Sequence, residues 1–466
     1  MIIAAGAVLA ATLYRAAPLL YLFQIKEYRR DRILSSIWED GLLHHVYSAP
    51  FRWPSRSPRN LLIAAICLCL AALEAYLAIS LPLTWNVALI FAGPFVALGM
   101  ISFGAAVTAV YSNRKKAALL KRAGIRLRES GTAVIGITGS FGKTTTKEWL
   151  YELIRDAHDT VRTEGNQNTP YGIADNIIRQ VSAGTKYFIA EIGSYRRGEI
   201  REICDVIQPR FGIVTPLGNQ HLSLFGSRSN LEQAKRELLE SLPATGHGYV
   251  NAKNAPVLSP GIAAHLSTYS LELAADITLR QTGKDAYIYT YTDRGVTFPF
   301  TSSIPKTYLA NLLPATALAL DLGIAPNIIR KKISSLTLPD DKLKVTVGTG
   351  GTSVILNTYS TNVDGFLAAI SYLDARPEKN KIMVSRGIIE LAGEKQKSYE
   401  DIGRSLKAGT CVLYTTDRAF TETAPRHVRM FAGERDLLDA LRNAASPETA
   451  ILLEGRFSQK FIQDLL

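Results

Sequence analysis

The chain has 466 residues, enough for two or three domains with full cores, and is 47% hydrophobic and 20% charged, which excludes a disordered or fibrous chain. Its net charge is +12, but much of the excess flanks apolar runs, in residues 26–32 and 113–128, with no nucleic-acid-binding motif and no aromatic-basic interleaving, so no nucleic-acid partner is expected. The four cysteines, with Cys67 and Cys69 inside an apolar run and Cys204 and Cys411 isolated, form neither a disulfide framework nor a zinc spacing and fit a reducing compartment.

Residues 2–23 are the first apolar run, interrupted by Arg15. They lack a charged segment ahead of the apolar part and are expected to be an uncleaved anchor. Residues 61–83, carrying only Glu74 as a charge, and residues 85–111, with Gly93-Pro94 inside, are each long enough to cross a bilayer. The short "PLTW" between them predicts a tight helical hairpin. Glu74 at membrane depth calls for a partner, Arg15, or else a helix-packing role. Lys and Arg concentrate in residues 24–60 and after Tyr111, so both segments are expected in the cytoplasm and the hairpin turn outside. This predicts a multi-pass protein of the cytoplasmic (inner) membrane, with the bilayer as a partner and everything after residue 112 in the cytoplasm.

The apolar run 132–137 then leads into Gly139-Ser140-Phe141-Gly142-Lys143-Thr144-Thr145 and a helical pattern. Glycines at 139 and 142 allow backbone N–H groups to turn around phosphate oxygens. Lys143 supplies a positive charge, Thr144 a hydroxyl for Mg2+, and the following helix its N-terminal dipole. Ile137 stands where the strict pattern has glycine, so the motif is the shorter G-x-x-G-K-T-T. Nucleotide binding is expected because a strand precedes it and a helix follows.

Further landmarks follow in order. "VRTEGNQNTPYG" (161–172) is a polar loop. "KYFIAEIGSYRRGEI" (186–200) is a buried-type strand ending in Glu191, and "FGIVTPLGNQHLSLFGS" (211–227) is another, followed by His221. "NLEQAKRELLESL" (230–242) is an amphipathic helix carrying Lys235. Groups at the C-terminal ends of parallel strands gather at one sheet edge, beside the phosphate loop.

The succession T-G-x-x-G-K-T-T, T-x-G-N-x-N, E-x-G-x-x-x-x-G-E-I, T-x-x-G-x-x-H-L, F-G-S and A-K-x-E resembles the Mur ligase family. These ATP-dependent amide ligases build the peptide of bacterial cell-wall precursors. "EIGSYRRGEI" and "FGSRSNLEQAKREL" resemble in particular the branch that adds a D-alanyl-D-alanine dipeptide to a UDP-muramoyl tripeptide. The resemblance covers residues 130–466. It implies that Lys143 and the loop amides hold the β- and γ-phosphates of ATP, that Thr144 and Glu191 hold one Mg2+, and that His221 serves a second. It implies that Lys235 is carbamylated and binds metal, that Asn311 lies near the adenine, and that Asn166 and Asn168 belong to the substrate-side loop. The activity implied passes through an acyl phosphate that an amine attacks.

The resemblance thins in three places. Membrane segments and a basic loop replace the family's UDP-gripping N-terminal domain, so a lipid-linked or otherwise membrane-held envelope precursor is expected as acceptor. In the C-terminal part "ILNTYSTNVDGF" keeps Tyr359 and Asn362 but has Asn357 for an acid. "MVSRGIIELAGE" keeps Glu390-Leu391 and Gly393 but has Ser385-Arg386, and "LLEGRF" has Glu454 for a lysine. The incoming amine, an amino acid or a dipeptide, is therefore left open. Pro216 and Thr307 stand where asparagine and histidine are expected. The expected architecture is α/β. A membrane domain (1–115, helices about 2–23, 61–83 and 85–111) precedes a P-loop central domain with a mostly parallel sheet (116–337) and a Rossmann-like C-terminal domain (338–466). The alternatives to a ligase acting on a peptidoglycan precursor at the cytoplasmic membrane face are a poly-amino-acid or capsule-type ligase of the same superfamily and a non-catalytic nucleotide-binding membrane scaffold.

Overall fold

The computed structural model describes residues 2–48, 50–165, 167–218, 222–339, 343–358, 362–388, 395–424 and 426–466, the side chains of residues 39, 40, 222, 223 and 364 excepted. The chain forms two compact units, Met1–Leu119 and Leu120–Leu466.

The first unit contains α1 (Ile2–Ile25), α2 (Arg30–Asp40), α3 (Pro58–Ile79) and most of α4 (Leu83–Ser130). Helix α3 starts where its sequence directs. Ser57 accepts from the Asn60 N–H at 3.2 Å, and Pro58 occupies the first turn, where no donor is needed. Asn86 holds the turn into α4. It is fully buried and its side-chain amide donates to the carbonyls of Ala78, Leu81 and Pro82, at 3.0, 3.1 and 3.3 Å. These take up carbonyls that the end of a helix leaves unpaired. Leu19, Leu20, Phe23, Ile63, Cys67, Ala71, Ala97 and Ile101 form the unit's core. Glu74 accepts a hydrogen bond from Thr12 at 3.0 Å, and Arg15 donates to the backbone carbonyls of His45 and Val46, at 3.0 and 2.7 Å. Helices α1, α3 and α4 are each long and apolar enough to cross a membrane.

Helix α4 does not stop at Tyr111, where the apolar run ends. It continues through the basic segment to Ser130, because Leu120, Ala123 and Leu127 keep a buried seam at helical spacing.

The second unit has two sheets. The first runs β2 (Thr160–Arg162), β3 (Tyr187–Glu191), β1 (Ala133–Thr138), β4 (Phe211–Val214), β5 (His247–Asn251), β6 (His265–Ser270), β7 (Ile277–Gln281), β8 (Ala286–Tyr291) and β9 (Val296–Thr301). All pairs through β6–β7 are parallel; β7–β8 and β8–β9 are antiparallel. The central strands are buried on both faces, which explains their unbroken apolar sequences. In the second sheet the order is β10 (Lys344–Val347), β11 (Ser353–Asn357), β15 (Thr449–Glu454), β12 (Asn380–Ser385), β13 (Val412–Thr415) and β14 (Val428–Met430). Only β10 is antiparallel. The unit is thus α/β with parallel-rich sheets, as its sequence predicts; the β7–β9 meander, β10 and β14 are additions to that expectation.

Candidate active site

From β1 the chain passes to β2 and β3 on one side and then to β4 on the other, so the crevice beyond β1 is the switch point at which open α/β sheets bind ligands. The loop Gly139–Gly142 lies there, followed by helix α5 (Lys143–Ile154). Two glycines are required by geometry. Gly139 has φ +142°, and a Cβ on it would fall 2.0 Å from the Thr215 hydroxyl. Gly142 has φ +81°, and its Cβ would fall 1.9 Å from Asn311 Oδ1. The loop after β4 meets the phosphate loop directly: the Ser140 N–H donates to the Pro216 carbonyl at 3.3 Å and the Ser140 hydroxyl to the Gly218 carbonyl at 3.3 Å. The contact at residue 216 is made by backbone, so proline is accommodated there.

Lys143 folds over its own loop, Nζ donating to the carbonyls of Gly139 and Ser140 at 2.9 and 3.2 Å. Phe141 and Thr144 are half-buried and Thr145 is fully buried. Asn311, at the start of the helix Leu312–Asp321, is buried against the loop. Its Nδ2 donates to the Tyr308 carbonyl at 3.2 Å, while its Oδ1 accepts nothing among the described residues.

Glu191, the last residue of β3, is 2% exposed. Its Oε1 accepts from Asn168 Nδ2 at 3.1 Å. Oε2 lies 3.2 Å from Lys147 Nζ but accepts no directed hydrogen bond among the described residues. Asn168 is held in turn, because the Gly193 N–H donates to its carbonyl at 2.9 Å and a Cβ on Gly193 would come 2.9 Å from Asn168 Oδ1. A buried carboxylate oxygen with a free lone pair beside a phosphate loop fits Mg2+, which is usually held by one or two carboxylates plus phosphate oxygens.

Lys235 lies on α6 (Arg228–Glu240), capped by Ser227, whose hydroxyl accepts from the Asn230 N–H at 3.1 Å. Glu237, two residues further, accepts from the N–H groups of Gly198 and Arg201 at 2.6 and 3.1 Å, locking this helix to the start of the helix Glu199–Ile207. Lys235 is 3% exposed; its Nζ donates to the Ser194 hydroxyl at 2.9 Å and lies 5.6 Å from the Phe225 ring centre. Burial, and then the charge of Lys143, lower its pKa well below the usual lysine value. One cleft is lined by Gly139, Ser140, Lys143, Asn168, Gly193, Ser194, Tyr195, Phe225 and Lys235.

The structure therefore gathers Gly139, Ser140, Lys143, Asn168 and Lys235 on one cleft, with Asn311 and Glu191 joined to its walls through Gly142 and Asn168. Asn166 and His221 lie outside the described residues, as do Tyr359, Glu390, Leu391 and Gly393. Sequence reasoning missed Ser194, Phe225 and Lys147. Ser194 and Phe225 stood inside motifs already singled out, and Lys147 follows Lys143 by one helical turn.

In the C-terminal part Asn357, Glu454, Ser385 and Thr415 end four neighbouring parallel strands in register, and Asn357 Nδ2 donates to Glu454 Oε2 at 2.6 Å. Glu454 is therefore buried beside an amide, whereas Thr307 is exposed.

Comparison with known proteins agrees with this geometry. Residues 137–319 match the family described as "Mur ligase middle domain". The chain is similar to the UDP-N-acetylmuramoyl-tripeptide–D-alanyl-D-alanine ligase of Bacillus subtilis, 25% identical over 364 residues, covering 75% of this chain and 79% of that protein. It is 28% identical to the corresponding ligase of Synechocystis over 334 residues, covering 69% and 71%. Among solved structures, MurF from Acinetobacter baumannii superimposes with a TM-score of 0.67 at 22% identity, covering 75% of this chain and 80% of that one. MurF ligase from Thermotoga maritima in complex with ADP gives 0.65 at 21%, covering 75% and 82%. With its phosphate loop at the sheet's switch point, the chain is an ATP-dependent ligase that carries a Mur ligase middle domain over residues 137–319.

Proposed function

We propose that the chain joins an amine to the carboxylate of a peptidoglycan or related cell-envelope precursor at the cytoplasmic face of a membrane. The observation that carries this is the cleft that the phosphate-loop Lys143 and the buried Lys235 line together with Ser140, Asn168 and Ser194. The curated relatives are named for a UDP-N-acetylmuramoyl-tripeptide and D-alanyl-D-alanine, which supports an acceptor of the same chemical class. Three helices able to cross a bilayer support a multi-pass arrangement and a membrane-held, lipid-linked acceptor.

The chemistry follows from the charges. An acceptor carboxylate oxygen attacks the γ-phosphorus of ATP, the bond to ADP breaks, and an acyl phosphate results. The amine nitrogen then attacks the acyl carbon, loses a proton and expels phosphate. Lys143 and the N-terminus of α5 offset the negative charge where two anions must meet. Thr144 and Glu191 would hold Mg2+, which supplies charge neutralisation on the phosphates. Buried, with its pKa lowered by burial and by the charge of Lys143, Lys235 is suited to form an N–C bond with CO2, releasing a proton and becoming an anion that would serve a second Mg2+ together with His221. Asn168 and Asn166 would line the acceptor side, and Asn311 the nucleotide side.

The test is ADP release by detergent-solubilised full-length protein with Mg2+ and bicarbonate, with Lys143→Ala as control. Membrane lipid extract and a UDP-linked muramoyl peptide are compared as acceptors, each with and without amino acids and D-alanyl-D-alanine. Release that requires lipid extract plus an amine supports the full reading. Release with the UDP-linked peptide instead replaces the lipid-linked acceptor by a soluble one. A ladder of products on one acceptor marks the poly-amino-acid alternative.

A further inference from the structure

Two lysines are buried among the described residues, Lys147 and Lys235, and the chemistry above uses only Lys235. Lys147, on α5, is 0% exposed. Its Nζ lies 2.7 Å from the Gly165 carbonyl, 3.2 Å from Glu191 Oε2 and 3.3 Å from Glu148 Oε1. An ammonium has three protons, and three oxygens surround this one. The two carboxylates are not equivalent. Glu148 has its own cation, since Arg162 Nε donates to its Oε2 at 2.7 Å. Glu191 Oε1 takes only the neutral amide of Asn168, so Lys147 is the cation that faces Glu191 among the contacts described. The pairing is also oblique: Oε2 lies within ion-pair distance yet accepts no directed hydrogen bond. Its charge is offset while its lone pair stays available.

We infer that Lys147 is a resident counter-ion for Glu191, which holds this carboxylate in place before a divalent cation arrives, competes with that cation for it, and ties it to the substrate-side loop through Gly165. The inference rests on the reading of Glu191 as a cation ligand. It makes Lys147 a positioning residue. The same ammonium grips the loop at Gly165, and Asn168 of that loop grips Glu191, so loop and carboxylate are fixed as one piece. Glu164 N–H and Gln167, both bonded to the buried Asn176, anchor the loop's other side. A buried carboxylate stripped of its cation is strongly disfavoured unless another cation replaces it.

The test uses full-length protein in detergent, free of nucleotide. Free Mn2+ is titrated and read by its electron paramagnetic resonance signal, and thermal unfolding is followed with Mn2+ or with chelator. Lys147→Met is expected to unfold at a lower temperature in chelator, to bind Mn2+ about tenfold more tightly than wild type, and to gain more from Mn2+ in thermal stability. The double variant Lys147→Met/Glu191→Gln removes both charges. It should recover stability in chelator and lose the tightened binding. Should Lys147→Met not fold, recovery of folded protein in the double variant supports the inference, and failure of both overturns it. Unchanged or weaker Mn2+ binding in Lys147→Met, with a stability loss that neither Mn2+ nor Glu191→Gln restores, also overturns it. Absence of Mn2+ binding in wild type and Lys147→Met alike removes the reading of Glu191 itself, while ADP release by the wild type tests the ligase separately.

Discussion

A lysine that combines with carbon dioxide must present an unprotonated amine. Burial of Lys235 and the neighbouring charge of Lys143 both favour that form, and Ser194 gives the amine a fixed direction. Lys235→Met keeps the length and removes the nucleophile. ADP release should fall by about 100-fold or more, in line with the removal of one preorganised charge-stabilising group, and the response to added bicarbonate should vanish. A variant that still answers to bicarbonate as wild type does would exclude carbamylation at this position. The phosphate loop gives a sharper prediction. A Cβ on Gly142 would meet Asn311 Oδ1 at 1.9 Å in a left-handed backbone conformation, so Gly142→Ala must displace the loop or Asn311. Fluorescent ATP-analogue binding should weaken by at least about tenfold while the melting temperature changes little, a loss of roughly 1.4 kcal/mol in binding. The phosphate loop was legible because strand, loop and helix grammar converge on it, whereas Lys235 and Asn311 entered through the family resemblance alone. Lys147 was not legible, because a lysine on a helix ordinarily faces water and only the fold shows that its position faces Glu191.

At the scale of elements, the parallel strands were legible because burial on both faces leaves short, unbroken apolar runs. The meander β7–β9 was not. Its strands are half-buried, with buried Tyr287, Tyr289 and Tyr291 alternating with the partly exposed Ile288 and Thr290, and only their far partners settle the pairing. Those partners meet at Asp321, the last residue of the helix Leu312–Asp321. It accepts from Tyr249 and from Tyr291, the latter at 3.1 Å, lies 3.1 Å from His247 Nδ1, and receives Arg294 Nε at 2.5 Å. The helix Leu312–Asp321, β5, β8 and the turn after β8 are thereby pinned by one carboxylate. Burial pushes the Asp321 pKa up, but the hydrogen bonds from His247, Tyr249 and Arg294 outweigh it and hold the group below the usual aspartate value. A depressed carboxylate pKa stabilises the fold above the unfolded value, about 3.9, and that stability is lost as pH falls through the folded value. Asp321→Asn should therefore cost roughly 3 kcal/mol at neutral pH, and its stability should decline less than that of the wild type below about pH 4. Denaturant unfolding at neutral and acid pH checks both; parallel acid limbs would remove Asp321 from the account.

For the whole molecule the decisive contrast is in surface chemistry. The first unit exposes Ile2, Ile3, Leu61, Leu62, Leu68, Leu73, Tyr76, Phe91, Phe103 and Val110 along helices long enough to span a bilayer, a surface that water does not tolerate on this scale. Basic residues flank these helices at one end only of each, so the turn at Ser80–Pro82 and the segment around Ser55 should lie on opposite sides of the membrane. The native cysteines make this measurable. Cys67, Cys204 and Cys411 are buried, and Cys69 is exposed on the apolar helix α3, where a water-borne reagent would not reach it with α3 in a bilayer. Wild-type protein in intact cells should therefore give little labelling with a membrane-impermeant maleimide. Ser80→Cys, on an exposed residue of the turn, should label from outside without permeabilisation, and Ser55→Cys, also exposed, only after it. The reverse pattern would put the phosphate loop on the side of the membrane without ATP, and a ligase driven by ATP would then be untenable. Equal labelling of both positions from outside would mean that α3 does not cross. The expected pattern would put the ATP-using unit on the cytoplasmic side, where the proposed membrane-held precursor would present its carboxylate.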